Sequence, residues 1–191
     1  MKQSLPVSTP ELSAYQVLLR PIKESDLALL RGWRNSDFVR EKMVTTSLIS
    51  EEQQYAWFKK ICHDHTQMHW LIEYRGKPIG ATNVKVPVTG ETVNTATTLE
   101  PGLYIGEPKY QGNILAFAPT LALYDYCFKY MKVDKFRAAV KSTNVAALKY
   151  NQQLGYQISS RDDFIHLCLQ KEAYERQTVT LKSFLSRLRK S

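Results

Sequence analysis

Cysteine is scarce in this 191-residue sequence, and its three copies, Cys62, Cys127 and Cys168, are widely spaced and never form a C-x-x-C pair. That spacing argues against a disulfide framework or a zinc ribbon and fits a reducing compartment, so the expected location is cytoplasmic. Long apolar runs are missing as well. No stretch approaches the roughly 20 residues that cross a bilayer, so no membrane partner is expected. Met1 to Pro10 holds one lysine and no apolar core, and no secretory signal is expected there. Repeats, low-complexity tracts and long linkers are absent, which points to one domain with a sizeable core. Acidic residues are in deficit, 18 Asp and Glu against 26 Lys and Arg, for a formal net charge of +8.

The basic excess gathers at the C-terminus. Residues 171–191 carry Lys171, Arg176, Lys182, Arg187, Arg189 and Lys190 against Glu172 and Glu175. Such a tail can touch nucleic acid or steer an anionic substrate. No nucleic-acid fold signature accompanies it, so nucleic acid is not the expected partner and a solvated helix face is the plainer reading. Leu181, Phe184, Leu185 and Leu188 recur at i, i+3, i+4 and i+7. That apolar stripe suits core packing or a homodimer contact.

Hydrophobic periodicity predicts alternating strands and helices. Residues 16–22 read as a strand, followed by a helix with Leu27, Leu30 and Trp33 inward. Ser50-Glu51-Glu52-Gln53 has the form of a capping box and opens a second helix to about Lys60. Residues 70–74 and 78–86 form a hairpin around Arg75-Gly76-Lys77, and a Thr-rich stretch, 88–98, reads as a loop. Residues 102–106 give a further strand, and 115–130 a long helix. A strand at 135–140 leads to a helix capped by Asn144 and stopped by Gly155, then to strands at 156–160 and 164–169. The pattern predicts an α/β domain with a mixed central sheet, flanking helices and a C-terminal amphipathic helix. The expected division is one α/β domain over 1–170 and a basic amphipathic helix over 171–191.

Two segments carry chemistry. Residues 107–116 (EPKYQGNILA) lead from a strand into a helix N-terminus, whose unpaired N–H groups and partial positive charge suit a pyrophosphate. Gly112 lets the backbone come close to an anion. Residues 144–156 (NVAALKYNQQLGY) have the form N-x-x-A-(x)6-L-G-[FY] directly after a strand. Together these segments resemble the GNAT acyl-CoA N-acyltransferase superfamily, over roughly residues 16–170.

The resemblance implies an N-acetyltransferase using acetyl-CoA as co-substrate, with no metal. It assigns Gln111, Gly112, Asn113, Ile114, Leu115 and Ala116 to the pyrophosphate loop, although Ile114 stands where the family usually has glycine. Backbone N–H groups of Leu103, Tyr104, Ile105 and Gly106 would polarise the thioester carbonyl. Asn144 matches the residue that hydrogen-bonds near the cofactor. The position of the usual acid, a tyrosine, is held by Asn151, and Tyr150 lies one place early, about 100° away on a helix. Glu100 shares a strand face with Gly102 and Tyr104 and is the candidate base, with a plain surface carboxylate as the alternative.

Trp33-Arg34-Asn35 and Arg40 resemble one branch of the family, the enzymes that acetylate amino-sugar nucleotides for surface polysaccharides, a group that also includes ribosomal-protein N-terminal acetyltransferases. The arginine forks match phosphate oxygens of a nucleotide-sugar acceptor; the competing reading makes Trp33 core and the arginines solvated. Protein N-terminal acetylation, and a non-catalytic acyl-CoA-binding module that has lost its acid at Asn151, remain the alternatives. Cys62, His63, His65 and His69 fit no standard zinc spacing. The run Tyr124, Tyr126, Phe128, Tyr130 is spread around a helix packed on the sheet rather than arranged for base stacking.

Overall fold

The structure, a computed structural model, describes residues 7–43 and 45–187. Among these, the strands are β1 (Leu12–Ala14), β2 (Val17–Pro21), β3 (Gln67–Tyr74), β4 (Lys77–Lys85), β5 (Thr98–Ile105), β6 (Lys135–Lys141), β7 (Gln157–Arg161) and β8 (Phe164–Gln170). They form one sheet in the order β1-β2-β3-β4-β5-β6-β8-β7, antiparallel throughout except where β5 meets β6. The mixed α/β class expected from the sequence is the class found. Helices α1 (Leu27–Asn35), α2 (Asp37–Arg40) and α3 (Glu51–Ile61) lie in the first half of the chain. Helices α4 (Phe117–Tyr130), α5 (Val145–Leu154) and α6 (Lys171–Arg187) lie in the second.

Strand alternation sends apolar residues to two cores. One face gives Leu71 and Ala81 to a cluster with Leu27, Leu30 and Trp33 of α1, with Trp57 and Phe58 of α3 packed beside it. The other gives Trp70, Ile72, Val84, Leu99 and Phe136 to the larger core under Leu121, Leu123 and Tyr124 of α4. Tyr124 stacks on Phe136 with ring centres 4.1 Å apart, and its hydroxyl lies 2.7 Å from that of Tyr156. The aromatic surplus of α4 is therefore mostly packing, with Tyr130 left exposed at its end.

The caps fall where the sequence put them. Ser50 Oγ accepts from the Gln53 N–H while Gln53 Oε1 accepts from the Ser50 N–H. Asn144 Oδ1 accepts from the Ala147 N–H, and Gly155 closes α5 at φ +102°. A side chain at Gly155 would meet the Ala173 carbonyl oxygen at 2.9 Å, so α5 and α6 run in close contact there.

Three features differ from the expectation. A strand precedes residue 16, because β1 and β2 join through Tyr15 (φ +50°) and Gln16 (φ +70°) with no glycine or asparagine to announce a turn. Strand β5 starts at Thr98, four residues early, since Pro101 and Gly102 are tolerated inside it. Helix α2 adds a short turn after Ser36. The last helix begins at Lys171, as expected; Leu188 of its stripe, with Arg189 and Lys190, lies outside the described residues, as does 1–6 of the N-terminal stretch.

The left-handed Tyr15 and Gln16 cost about 1–2 kcal/mol each, and contacts with the second half of the chain hold them. Tyr15 donates to Asp125 Oδ2 at 2.5 Å, and Gln16 Nε2 donates to the Leu185 carbonyl at 2.8 Å. Asp125 also accepts from Tyr174 (2.7 Å) and pairs with Lys182 (2.6 Å), so one carboxylate ties the β1–β2 turn and α6 to α4. Replacing Asp125 with alanine strands the Tyr15 phenol and leaves that of Tyr174 only the longer bond to the Leu121 carbonyl at 3.3 Å, at about 1–2 kcal/mol each, while the partly exposed Lys182 pair adds little. Urea unfolding of Asp125→Ala should show a loss of about 2–4 kcal/mol. A loss under about 0.5 kcal/mol would mean the carboxylate does not hold α6.

Candidate active site

Strands β5 and β6 pair only at Thr98↔Lys135 and Leu99↔Phe136 and then part. Beyond Leu99, β5 keeps its partner β4, and β6 keeps β8. Between the two prongs a cleft of about 1100 Å³ opens. Leu103, Tyr104 and Ile105 line it from β5, and Gln111, Gly112, Asn113, Ile114 and Ala116 line it from the loop before α4. Asn144, Tyr150 and Asn151 line it from α5, so the two chemistry-bearing segments of the sequence meet across one opening.

The loop is built to leave donors free. Gly112 takes φ +66°, and Asn113 caps the following turn by accepting from the Leu115 N–H at 3.0 Å. The N–H groups of Gly112, Asn113 and Ile114 meet no backbone acceptor among the described residues. Consecutive free N–H groups ahead of a helix form an anion-binding concavity. Gln111 Nε2 donates to the Ile105 carbonyl at 2.8 Å, which fixes the loop to the end of β5. Leu115 is buried beneath the loop, and Gly106 lies outside the cleft.

On α5, Tyr150 and Asn151 have different partners. The Tyr150 hydroxyl donates to the Ala116 carbonyl (3.1 Å) and lies 2.6 Å from Thr120 Oγ1, with its ring stacked on Phe117. Burial pushes its pKa above the ordinary phenol value, with the Thr120 bond opposing. Asn151 Nδ2 donates to the Ala147 carbonyl at 2.9 Å, which leaves its carbonyl oxygen and one N–H for the cleft.

The N-terminal candidates sit around the other side of β5. Trp33 is 6% exposed and packs on the Cα of Gly106, where an added Cβ would lie 2.1 Å from its ring. Its indole donates to Glu107 Oε1 at 3.3 Å. Arg34 approaches Tyr104 closely enough for its charge to offset part of the burial that raises the phenol's pKa. One of its terminal nitrogens, Nη1, is buried with no hydrogen-bond partner among the described residues. Asn35 exchanges two hydrogen bonds with the backbone of Ile49 and so holds that residue against α1. Arg40 pairs with Asp37 and donates to the Thr46 carbonyl. None of these four lines the cleft itself. Glu100 does not line it either; it sits opposite Lys85 on β4 at the closed end of the fork.

Residues that sequence reasoning missed close the mouth. Lys42 Nζ donates to Gln111 Oε1 at 3.3 Å, and Lys141 Nζ, at the tip of β6, donates to the Met43 carbonyl at 3.2 Å. The segment after α2 is thus tied to both prongs. No periodic pattern marks it; Pro101, a strand breaker inside β5, was the available signal for the fork. Among the described residues no group of three His, Cys, Asp or Glu is placed to hold a metal.

With this geometry in view, comparison with known proteins is informative. A family model described as an acetyltransferase (GNAT) domain matches residues 16–157. A curated relative, the acetyltransferase PseH of Campylobacter jejuni (serotype O:23/36, strain 81-176), is 27% identical over 151 residues, covering 78% of this chain and 89% of its own. Among solved structures, apo FdhC, described as a nucleotide-linked sugar GNAT, superposes with a TM-score of 0.75 at 18% identity, over 93% of this chain and 99% of its own. The aminoglycoside acetyltransferase AAC(6')-Ib in complex with coenzyme A gives 0.69 at 19% identity, over 84% and 98%.

His69 tests the packing of the α1–α3 face. It sits opposite Asn83 on β4, with its ring edge-on to Trp57 (5.2 Å) and Nε2 2.8 Å from Gln67 Oε1. Burial, then the charge of Lys85, lowers its pKa to about 4, with Asp64 opposing. The folded state therefore takes up this proton later than the unfolded chain does. Its stabilising contribution is present above about pH 6.5 and is lost as pH falls towards 4, by on the order of 3 kcal/mol. Acid titration of stability should show that loss, and His69→Gln should flatten it. An unchanged acid limb in the variant would contradict the assignment.

Proposed function

The chain belongs to the acetyltransferase (GNAT) domain family, and on that premise we propose that it moves the acetyl group of acetyl-CoA to the amine of a nucleotide-linked amino sugar. The observation that carries the donor half is the fork itself, in which a free strand edge and three unpaired loop N–H groups share one cleft. The residues present fit that donor. The N–H groups of 112–114 would hold the pyrophosphate, and the pantetheine arm would lie along the part of β5 that lacks a parallel partner. Bound there, the donor supplies an acetyl group activated as a thioester.

The chain's own residues then have three tasks. Backbone N–H groups on the free edge of β5, those of Leu103 and Ile105, would point donors at the reacting carbonyl, while that of Tyr104 faces β4. The strap of Lys42 and Met43 narrows the mouth and limits water. Proton transfer falls to Asn151 and Asn144, whose amides can hold water between the amine and the departing sulfur. Among the described lining residues no carboxylate faces the cleft, so Glu100 would act only through intervening water. Tyr150, engaged by Ala116 and Thr120, serves chiefly to floor the cleft. A thiolate leaves readily near neutral pH, so a missing phenolic acid costs at most about two to four decades of rate.

The acceptor half is supported by the unpartnered Arg34 nitrogen beside Tyr104, by the basic balance of the chain, and by what PseH and FdhC are described as. A buried guanidinium nitrogen without a partner is costly unless a ligand satisfies it. A screen of nucleotide-linked amino sugars, free amino sugars, aminoglycosides and N-terminal peptides, read as free CoA release, tests this. Turnover should be fastest with a nucleotide-linked amine. Arg34→Ala should raise the KM for that acceptor about tenfold or more while leaving the KM for acetyl-CoA within about twofold, as expected for one lost charge-assisted contact. Efficient turnover of peptides with none of nucleotide sugars would overturn the acceptor, and no CoA release with any amine would point to a non-catalytic acyl-CoA-binding module.

A further inference from the structure

The cleft does not end at α5. The same cavity continues past Phe117 and Tyr150 and is walled on its far side by Gln177, Thr180, Leu181 and Phe184 of α6, a helix outside the family-matched span of 16–157. We infer that α6 is a donor-binding element, and that the groove between α5 and α6 receives the adenosine end of acetyl-CoA. The inference rests on the donor proposed above.

Topology gives the direction. With the pyrophosphate on the 112–114 loop and the pantetheine arm in the fork, the nucleotide would lie against the remaining lining of the same cleft, which includes Phe117 and the α6 residues. The helix cannot simply turn away from it. Tyr174, Thr178 and Leu185 are buried, Lys182 and Tyr174 are held by Asp125, and Gln16 grips the Leu185 carbonyl. Leu185 points inward, and its neighbour Phe184 is carried about 100° round to the groove, 47% exposed. A half-exposed aromatic ring beside Leu181, on a helix held in place, offers what the flat face of a purine needs.

The polar groups of the groove suit the purine's edge and the ribose phosphate. The side-chain amides of Gln153 and Gln177 each carry donors and an acceptor, matching the amino group and ring nitrogens of adenine, and they make no hydrogen bond among the described residues. Lys149, on the α5 rim, is likewise without an ion pair among the described residues and supplies a point charge for the 3′-phosphate. Phe184 therefore reads the base and Lys149 the phosphate.

Titration of the full chain with CoA and with dephospho-CoA, which lacks the 3′-phosphate, tests this alongside turnover of acetyl-CoA and S-acetylpantetheine, which lacks the nucleotide. Phe184→Ala should weaken CoA about tenfold, the scale of one lost base-stacking contact, and leave the KM for S-acetylpantetheine within about twofold. Lys149→Ala should weaken CoA but not dephospho-CoA. Val179→Ala, a 63% exposed position on α6 outside the groove, should change none of these. CoA binding unchanged in Phe184→Ala, or equal losses for acetyl-CoA and S-acetylpantetheine, would overturn the role of α6. Failure of the wild-type chain to bind CoA at all would instead overturn the donor reading on which the inference rests.

Discussion

Pro101 has no N–H to offer a neighbouring strand, and the parallel ladder between β5 and β6 stops at Leu99, two residues before it. Past that point a central strand of the sheet has hydrogen-bonding groups on one side with no strand to receive them. Buried backbone groups in that state must be satisfied by water or by a ligand. The neighbours of β5 are arranged to keep it in place all the same. Thr82 donates to the Gly102 carbonyl at 2.9 Å, and Gly80 is so close to the Tyr104 carbonyl that an added Cβ would lie 2.2 Å from it. Trp33 seals the end of the strand at Gly106. The opening is thus a fixed gap in a well-packed sheet, and the loop, α5 and the strap after α2 are all placed around it.

A second constraint acts from the opposite edge. The β1–β2 turn adopts left-handed geometry at two side-chain-bearing residues, and the same two residues hold α6 through Asp125 and Leu185. Local strain and tertiary contact are therefore one feature: the turn is tolerable because α6 is docked, and α6 is docked partly through the turn. Since α6 also walls the far arm of the cleft, the N-terminal hairpin is coupled to the groove across the sheet.

Much of this was readable before any coordinates. Periodicity gave the mixed sheet, and local chemistry gave the caps at Ser50, Asn144 and Gly155, because each depends on residues within one turn of itself. The segments at 107–116 and 144–156 stood out for the same reason, and they do meet across one cleft. What escaped was set by distant contacts. The Tyr15-Gln16 turn carries no turn residue and exists because of Asp125, 110 positions away. The strap of Lys42 and Met43 is defined by Gln111 and Lys141. The stripe on α6 was read as core or dimer contact, and Leu185 is indeed buried, while Phe184 opens onto the cleft. Trp33 packs into the core, and Arg34 next to it holds one of two buried arginine nitrogens without a partner among the described residues, the other being Arg40 Nε, so adjacent residues of one motif have separate parts.

The central claim is that the open edge of β5 and the loop at 112–114 receive one ligand together. Amide hydrogen exchange of the full chain with and without acetyl-CoA measures that directly. The account predicts slowed exchange at the backbone N–H groups of Leu103 and Ile105 and of Gly112, Asn113 and Ile114 in the presence of acetyl-CoA, rising together with ligand concentration. Protection confined to one of the two segments, or appearing at neither, would contradict it.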